Sequence, residues 1–584
     1  MATSRRVFLT GLLGATATAC LGQGVTPHKA VAQAKSKPSG LPFNSTFTDV
    51  AANAGLQTIT VYGESDHKEY IVETLGCGCA LLDFDNDGWL DIFLLSGTRF
   101  TKPPADASNR LFKNNRDGTF TDVTERAGLL KTGWACGVCV GDYNNDGFED
   151  LFITYWGQNI LYRNNGDGTF TDVTRAAGLP QTADRWSTGC TFLDYNRDGH
   201  LDLFVASYLD FDPQKSPKPG QNANCRWMGT PVTCGPRGFP YGQHNLYRNK
   251  GDGTFTDVSV ESGISAAKHS YGLTAIAGDF DGDGWHDIYL ACDSTPSLLF
   301  INNHDGTFRE EGAVRGVAYG EDGQEQAGMG VASADYDLDG RLDIFKTNFE
   351  GDTPDLYHNM GKANFEEVSR AAGLAVENRF VCWGAAMADF DNNGLPDLFM
   401  VAGHTFPEIE KRNPEFPAKD PRMLFRNLGK GRFEELTDQA GMALQTPHNS
   451  RGCAFGDFDN DGDLDILIVN LNEPPSLLRN DVSSGNSWLK VKLIGTKSNR
   501  SAIGARVVVK TGNSRQTQEV QSQSSFLSCN DFRLHFGLGQ VKSAELEIRW
   551  PSGEWQTVPN VSANQLVTVK EGTGVVPSAG WSKG

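Results

Sequence analysis

The residues best suited to chemistry recur in one nine-residue arrangement, first met as Asp83-Phe-Asp85-Asn-Asp87-Gly88-Trp-Leu-Asp91. Oxygen-bearing side chains stand at positions 1, 3, 5 and 9, with glycine at position 6. A hard cation such as Ca²⁺ takes oxygen ligands at about 2.3–2.6 Å, and alternate side chains on a tight loop supply several of them. The backbone carbonyl of position 7 is a natural further ligand. Gly88 permits the sharp turn that folds the loop around an ion. An EF-hand would need a later glutamate and a helix on each side. Here the flanks are Cys79-Ala-Leu-Leu and Ile92-Phe-Leu-Leu, short apolar runs that read as buried strands. The expected element is a Ca²⁺ loop at the tip of a β-hairpin.

Seven copies share the spacing, so up to seven Ca²⁺ ions are expected. Their oxygen donors are Asp83, Asp85, Asp87 and Asp91; Asp142, Asn144, Asp146 and Asp150; Asp194, Asn196, Asp198 and Asp202; Asp279, Asp281, Asp283 and Asp287; Asp335, Asp337, Asp339 and Asp343; Asp389, Asp391, Asn393 and Asp397; Asp457, Asp459, Asp461 and Asp465. Arg197 and Pro396 intrude in the third and sixth loops.

The elements that position these loops follow from a second repeat. Asn114-Asn-Arg-Asp-Gly-Thr-Phe120-Thr-Asp-Val returns, with decay, at Phe170, Phe255, Phe308, Phe365 and Phe433. Each copy follows a short apolar run such as Asn159-Ile-Leu-Tyr. One unit is therefore strand, acidic loop, strand, connection, strand, Asp-Gly turn, strand. Seven such units describe an all-β fold, a seven-bladed β-propeller. The Phe motif first appears at Phe47–Val50, ahead of any acidic loop, and is missing after the last one. That stretch is expected to complete the last blade and leave no open sheet edge.

The resulting division is a signal over 1–34, a linker over 35–43, the propeller over 44–483, a small β-sandwich-like domain over 484–572 and a flexible tail over 573–584. The second domain rests on alternating runs such as Trp488-Leu-Lys-Val-Lys-Leu and Ala544-Glu-Leu-Glu-Ile-Arg-Trp. Ser4-Arg5-Arg6-Val7-Phe8-Leu9, followed by small and apolar residues, looks like a Tat export signal, with Ala32-Gln33-Ala34 as its cleavage site. The expected location is periplasmic, secreted or on the cell surface. No later apolar run is long enough to cross a membrane. The net charge is −20, and seven bound Ca²⁺ would bring it to about −6. The acidity is thus metal chemistry, and no basic patch speaks for nucleic acid.

Cys225 and Cys234 share one insertion and form a candidate disulfide, compatible with export. Cys77, Cys79, Cys136, Cys190 and Cys453 all fall on the first strand of a blade, on one strand face. They read as small buried apolar residues, with a soft-metal or redox site in the central channel as the sharper alternative.

No G-x-S-x-G, H-E-x-x-H or P-loop occurs. The candidate catalytic residues are His67, Glu73, Arg237 and His404, all on connections at the face opposite the acidic loops; a His and a Glu in one pocket could do acid–base work. The long insertions 57–75, 210–242 and 404–422 lie on that face as well, where irregular loops usually carry function. Trp227, Phe239, Tyr241 and Phe406 are candidates for an aromatic platform.

Seven such repeats, followed by Phe536-Gly-Leu-Gly and Trp550-Pro-Ser-Gly-Glu-Trp, resemble the cartilage acidic protein family, in which an integrin-α-like propeller of FG-GAP (VCBS) repeats precedes an ASPIC/UnbV domain. Glu73-Thr-Leu-Gly76, Cys234-Gly-Pro-Arg237, Gly328-Met-Gly330 and Gly403-His404 match as well, so the resemblance covers about residues 44 to 572. It implies an extracellular Ca²⁺-binding protein with adhesion or matrix roles. The UnbV name, taken from enediyne biosynthesis clusters, implies small-molecule chemistry in some relatives. The inner-strand cysteines depart from the small Gly/Ala/Val residues usual there. The preferred expectation is a non-enzymatic recognition module that binds protein or glycan. The alternative is an enzyme, such as a lyase or cyclase, acting on a carbohydrate or secondary metabolite in the same face.

Overall fold

Seven four-stranded antiparallel sheets form a ring. The structure, a computed structural model, describes residues 31–182 and 185–578. Most of the expected export signal, including both arginines, lies outside the described residues. In each blade the first strand is innermost: Cys79–Leu82, Trp134–Gly141, Ser187–Leu193, Gly272–Gly278, Gly328–Ala334, Cys382–Ala388 and Ser450–Gly456. These strands are buried on both faces, which explains their unbroken small and apolar sequences. The outermost strands are the short Phe motifs, such as Phe120–Asp122 and Phe170–Asp172, which bury the phenylalanine and expose the next two residues.

Ser45–Asp49 pairs antiparallel with Ser476–Val482 and completes the seventh sheet, so the two ends of the repeat array close the ring. The stretch expected as a linker is held down. Ser39 donates from its N–H to Glu434, and Arg426 donates to the carbonyls of Leu41 and Pro42 along the sixth blade.

The C-terminal domain is a sandwich of two four-stranded sheets. Ser487–Ile494 lies between Leu534–Gly539 and a parallel Gln565–Lys570 in one sheet, and Arg506–Thr511 between Ser514–Glu519 and Ser543–Arg549 in the other. Residue 572 is not its end. Gly574–Val576 adds a further strand beside Thr568–Lys570, where a flexible tail was expected, because Thr573 N–H closes a tight turn onto Lys570 O.

The sandwich sits on the acidic-loop face of the ring. One apolar cluster runs from Tyr143 and Leu201 of blades 2 and 3 through Ile503 into Leu489, Val507 and Trp550 of the sandwich. Between its sheets the chain leaves as a finger, residues 521–531, that enters the centre of the ring. Leu81 donates to Cys529 O and Val138 to Leu527 O, while Ser525 and Val331 exchange both backbone hydrogen bonds. Gln523 accepts from Cys190 N–H at 3.0 Å and donates to Val138 O at 3.1 Å. A Cβ on Gly78 would lie 1.8 Å from Leu527 O, so only glycine fits there.

Candidate metal loops and the opposite face

The acidic loops share one local structure. Position 4 is left-handed in every blade: Asn86, Asn145, Arg197, Leu338, Asn392 and Asn460 have φ between 56° and 64°, and the fourth blade has Gly282 there. Asparagine tolerates this conformation best among non-glycine residues, which explains its recurrence. In five blades the first aspartate accepts the N–H groups of positions 5 and 6, as Asp83 does from Asp87 (2.9 Å) and Gly88 (3.0 Å), whereas Asp335 accepts only from position 6. The ninth accepts from position 2 and from an asparagine on the third strand, as Asp91 does from Phe84 and Asn114.

This geometry brings carboxylates together. Oxygens of Asp83, Asp85 and Asp91 lie within 4.8 Å of one another, as do those of Asp279, Asp281 and Asp283, of Asp335, Asp337 and Asp343, and of Asp389, Asp391 and Asp397. Several acidic clusters are thus able to bind a metal. Blades 2 and 3 differ: Asn144 donates to Asp146, and Asn196 to Asp198. In blade 1, Lys113 reaches in to Asp85 and Asp87.

Electrostatics argue for cations. Burial, aided by neighbouring carboxylates, pushes the ninth-position carboxyls Asp91, Asp287, Asp397 and Asp465 well above the usual range. It raises Asp335, Asp194 and Asp459 to about 7. One oxygen each of Asp85, Asp279, Asp335 and Asp459 is buried with no hydrogen-bond partner. An unpartnered buried carboxylate oxygen is costly, and a hard divalent ion shared by the cluster removes that cost. The donor set therefore fits Ca²⁺.

The sandwich supplies cations of its own to the same face. Lys490 pairs with Asp457 and Arg549 with Asp279, both in buried settings, and Lys492 lies 3.9 Å from Asp83. Arg533 donates to Asp457 O and to Asn460 Oδ1 (3.1 Å).

The opposite face is built differently. Its three insertions bridge one another. Trp227 of the blade 3 insertion packs with Phe406 and Ile409 of the blade 6 insertion. Glu350 ties both, accepting from Trp227 Nε1 at 2.9 Å and lying 2.5 Å from His404 Nε2. Lys218 donates to Glu69 and to Tyr70 of the first insertion. Cys225 and Cys234 form a disulfide.

The four candidate catalytic residues are therefore not brought together. Glu73 is buried and accepts the N–H groups of Glu69 and Tyr70. His67 is exposed and pairs with Asp66. Arg237 reaches Ser294 O and Glu325. His404, accepting the Phe406 N–H through Nδ1, braces Glu350. The aromatic platform is also corrected, since Trp227 and Phe406 are core residues of the bridge and Tyr241 is the exposed ring, its centroid 4.5 Å from that of Tyr271 at a tilt of 31°. Over the axis a cavity of about 50 Å³ remains, lined by Thr74, Tyr208, Asp293, Met329 and Trp383. That is well below the several hundred Å³ of a typical ligand pocket. A cleft of about 940 Å³ runs beneath the blade 3 insertion, lined by Trp156, Arg185, Phe211, Arg237 and Phe239.

The inner-strand cysteines do not face an open channel. Ser525 Oγ lies 3.1 Å from Cys453 Sγ, Ser528 Oγ 3.9 Å from Cys79, and Gln523 Nε2 3.6 Å from Cys190. Burial pushes the Cys136 and Cys453 thiols up to about 11 and about 12, which keeps them protonated and inert.

Two sets of residues were not assigned a role from sequence. One is the axial finger, residues 521–531, whose sequence is rich in Ser and Gln. The other is the asparagine on the third strand of each blade, Asn114 and its counterparts. Its side chain donates to the position 2 carbonyl of the preceding blade: Asn164 to Phe84, Asn249 to Tyr143, Asn302 to Tyr195, Asn359 to Phe280, Asn427 to Tyr336 and Asn480 to Phe390. In the first six blades its fixed spacing before the Phe is the signal that could have found it.

Fold and loops together define a β-propeller of acidic-loop repeats capped by a β-sandwich. The FG-GAP-like repeat model matches residues 83–153, 142–205, 237–290, 279–346, 335–400 and 420–468, more than half of the chain. The ASPIC and UnbV model matches residues 495–576. The chain belongs to the FG-GAP-like repeat family and carries an ASPIC and UnbV domain. It is 30% identical over 325 residues to human (Homo sapiens) cartilage acidic protein 1, an overlap of 54% of this chain and 46% of that protein. With the Xenopus tropicalis protein of the same name it shares 30% identity over 51% of this chain and 44% of that one. The chain thus spans about half the length of these relatives. Among solved structures, YCF48 bound to D1 peptide aligns with a TM-score of 0.38 at 9% identity, covering 72% of this chain and 97% of that one. Among the described residues no helix is long and apolar enough to cross a membrane.

Proposed function

We propose that the protein is an exported recognition scaffold, stiffened by Ca²⁺ in its acidic loops, that binds a protein or glycan ligand through the face opposite those loops. One observation carries this reading. The sandwich covers the loop face and its finger fills the axis, so the face left free is the one bearing three interlocked insertions and the 940 Å³ cleft. The scattered duties of His67, Glu73, Arg237 and His404 support binding over catalysis, because these four do not converge on one cavity. Buried unpartnered oxygens in four loops support Ca²⁺ as the structural ion.

The test is binding to glycan and peptide arrays, run with the intact protein and with a variant whose residues 213–240 are replaced by a short Gly-Ser turn. Binding by the intact protein that disappears in the variant supports the proposal. Binding that survives the replacement, or none by the intact Ca²⁺-loaded protein, overturns it.

A further inference from the structure

The fifth acidic loop differs from the others in one donor. Its carboxylates Asp335, Asp337, Asp339 and Asp343 are joined by the imidazole of His358 on the third strand of the blade, Asp355–Asn359. A ring nitrogen of His358 and oxygens of Asp337 and Asp339 lie within 4.8 Å of one another. His358 Nδ1 stands 3.3 Å from Asp343 Oδ1 and 3.5 Å from Asp337 Oδ2. Despite this closeness, Nδ1 is buried and makes no hydrogen bond of acceptable geometry.

Asp335 supplies an independent sign of a ligand. Its side chain is 99% buried, one oxygen accepts from Gly340 N–H, and the other has no partner. A carboxylate oxygen of Asp335 lies within 4.8 Å of those of Asp337 and Asp343, so the orphaned group belongs to the same cluster as the imidazole. Arg341 pairs with Asp339 at the exposed edge.

The corresponding strand position elsewhere is Lys113, Arg163, Arg248, Ile301, Arg426 or Arg479. Lys113 shows what a basic residue does there, pairing with the loop carboxylates Asp85 and Asp87. A lysine or arginine cannot ligate, because its donors carry no lone pair at neutral pH. An imidazole can. Nitrogen ligands bring little affinity for Ca²⁺, whereas imidazole suits the divalent transition ions, and carboxylates suit their harder members. Tyr336, whose ring lies 6.0 Å from that of His358 at 82°, fixes the imidazole plane. His304 in blade 4 offers no such site, since it stacks on Trp285 and meets the single carboxylate of Asp283.

We infer that the blade 5 loop is a mixed nitrogen–oxygen site for a divalent transition ion of the Mn²⁺ or Zn²⁺ class, with His358 as the ligand that selects it over Ca²⁺. The inference rests on reading the acidic loops as cation sites, and it is independent of whether the other six take Ca²⁺. The experiment uses the full chain, stripped of metal, loaded with a large excess of Ca²⁺ and then titrated with Mn²⁺. Total calcium is measured alongside by inductively coupled plasma mass spectrometry. The expected result is one Mn²⁺ per chain that Ca²⁺ does not displace, with ¹⁴N coupling from an imidazole in its electron spin echo modulation. The coupling and the Ca²⁺-resistant binding are lost in His358→Asn and kept in His304→Asn. Mn²⁺ that Ca²⁺ displaces completely, absence of ¹⁴N coupling in the wild type, or coupling that survives His358→Asn overturns the inference. The wild-type spectrum decides the matter even if the His358 variant fails to fold. Failure of the general Ca²⁺ reading would appear separately, as low calcium content.

Discussion

The Asn114 side chain donates a hydrogen bond to the carbonyl of Phe458 at 2.9 Å, joining the first blade to the seventh. With the same donor it holds Leu90 O in its own blade. This is one of seven equivalent staples, and together they form a closed belt of amide-to-carbonyl bonds just inside the acidic loops. Asn114→Ala should leave two buried carbonyls short of a donor, at about 1–3 kcal/mol each. Urea denaturation should show the midpoint falling with an unchanged slope. An unshifted midpoint would mean that water replaces the amide without loss.

Chelation should act on the ring as a whole. Removing Ca²⁺ leaves buried carboxylates at several hairpins without a compensating charge, and EDTA should lower the melting temperature strongly. Calcium content of about five or six ions per chain is expected, the fifth loop being left to a transition ion. Superimposable melting curves in EDTA and in excess Ca²⁺ would refute the structural role of the ion.

Lys490 and Asp457 form a fully buried pair between sandwich and propeller. Breaking such a pair by removing one partner costs about 3–5 kcal/mol, because the other charge is left buried. Lys490→Met should therefore destabilise the protein most in EDTA and less in Ca²⁺, where an ion at Asp457 takes over the compensation. Equal losses in the two buffers would show that the lysine and the metal do not share this carboxylate.

His244 provides a pH probe distant from the acidic loops. It accepts the Ser207 N–H through Nδ1, lies 2.9 Å from Ser270 Oγ through Nε2, and burial lowers its pKa to about 4. The folded state thus keeps the ring neutral while the unfolded chain protonates near 6.5. The stabilisation is complete above pH 6.5 and is lost as the pH falls towards 4, up to about 3 kcal/mol. The melting temperature of the wild type should fall more between pH 7 and pH 5 than that of His244→Gln. Parallel curves would place the histidine in a wetter setting.

The disulfide is local. Its two cysteines are separated by 9 in sequence within a surface insertion, so closure restrains that insertion and not the ring. Reduction should open 213–240 to limited proteolysis while leaving the main melting transition within a degree or two. A large fall in that transition would mean that the bridge of Trp227 to Phe406 supports the ring itself.

The periodic features were legible in the sequence because each carries its own local cause. Gly88 and its six counterparts announce a turn, the alternation of aspartates announces a cluster of carboxylates able to hold a cation, and Phe47 ahead of the first loop announces how the ring closes. The contacts of the sandwich have no period. Lys490, Arg533 and Arg549 are ordinary strand and loop cations until the fold sets them over Asp457 and Asp279. The axial finger is likewise silent, since Gln523, Ser525 and Ser528 bind through backbone, hydroxyl and amide groups that any polar linker also carries. His404 was visible as a matching residue, but its partner Glu350 comes from another blade and no spacing connects them.

The strand that completes the ring is made first and used late. Ser45 reaches its partner Asn480 across a sequence separation of 435. At about 5–20 residues per second of synthesis, Ser45–Asp49 waits on the order of 20–90 s for a sheet to join. The finger that fills the axis emerges later still. Blades can form one by one as they leave the ribosome, yet neither closure nor filling can occur until the chain is almost finished. A ribosome stalled anywhere before the last blade would therefore present an unpaired sheet edge and a hollow ring, the substrate that holdase chaperones are built to recognise.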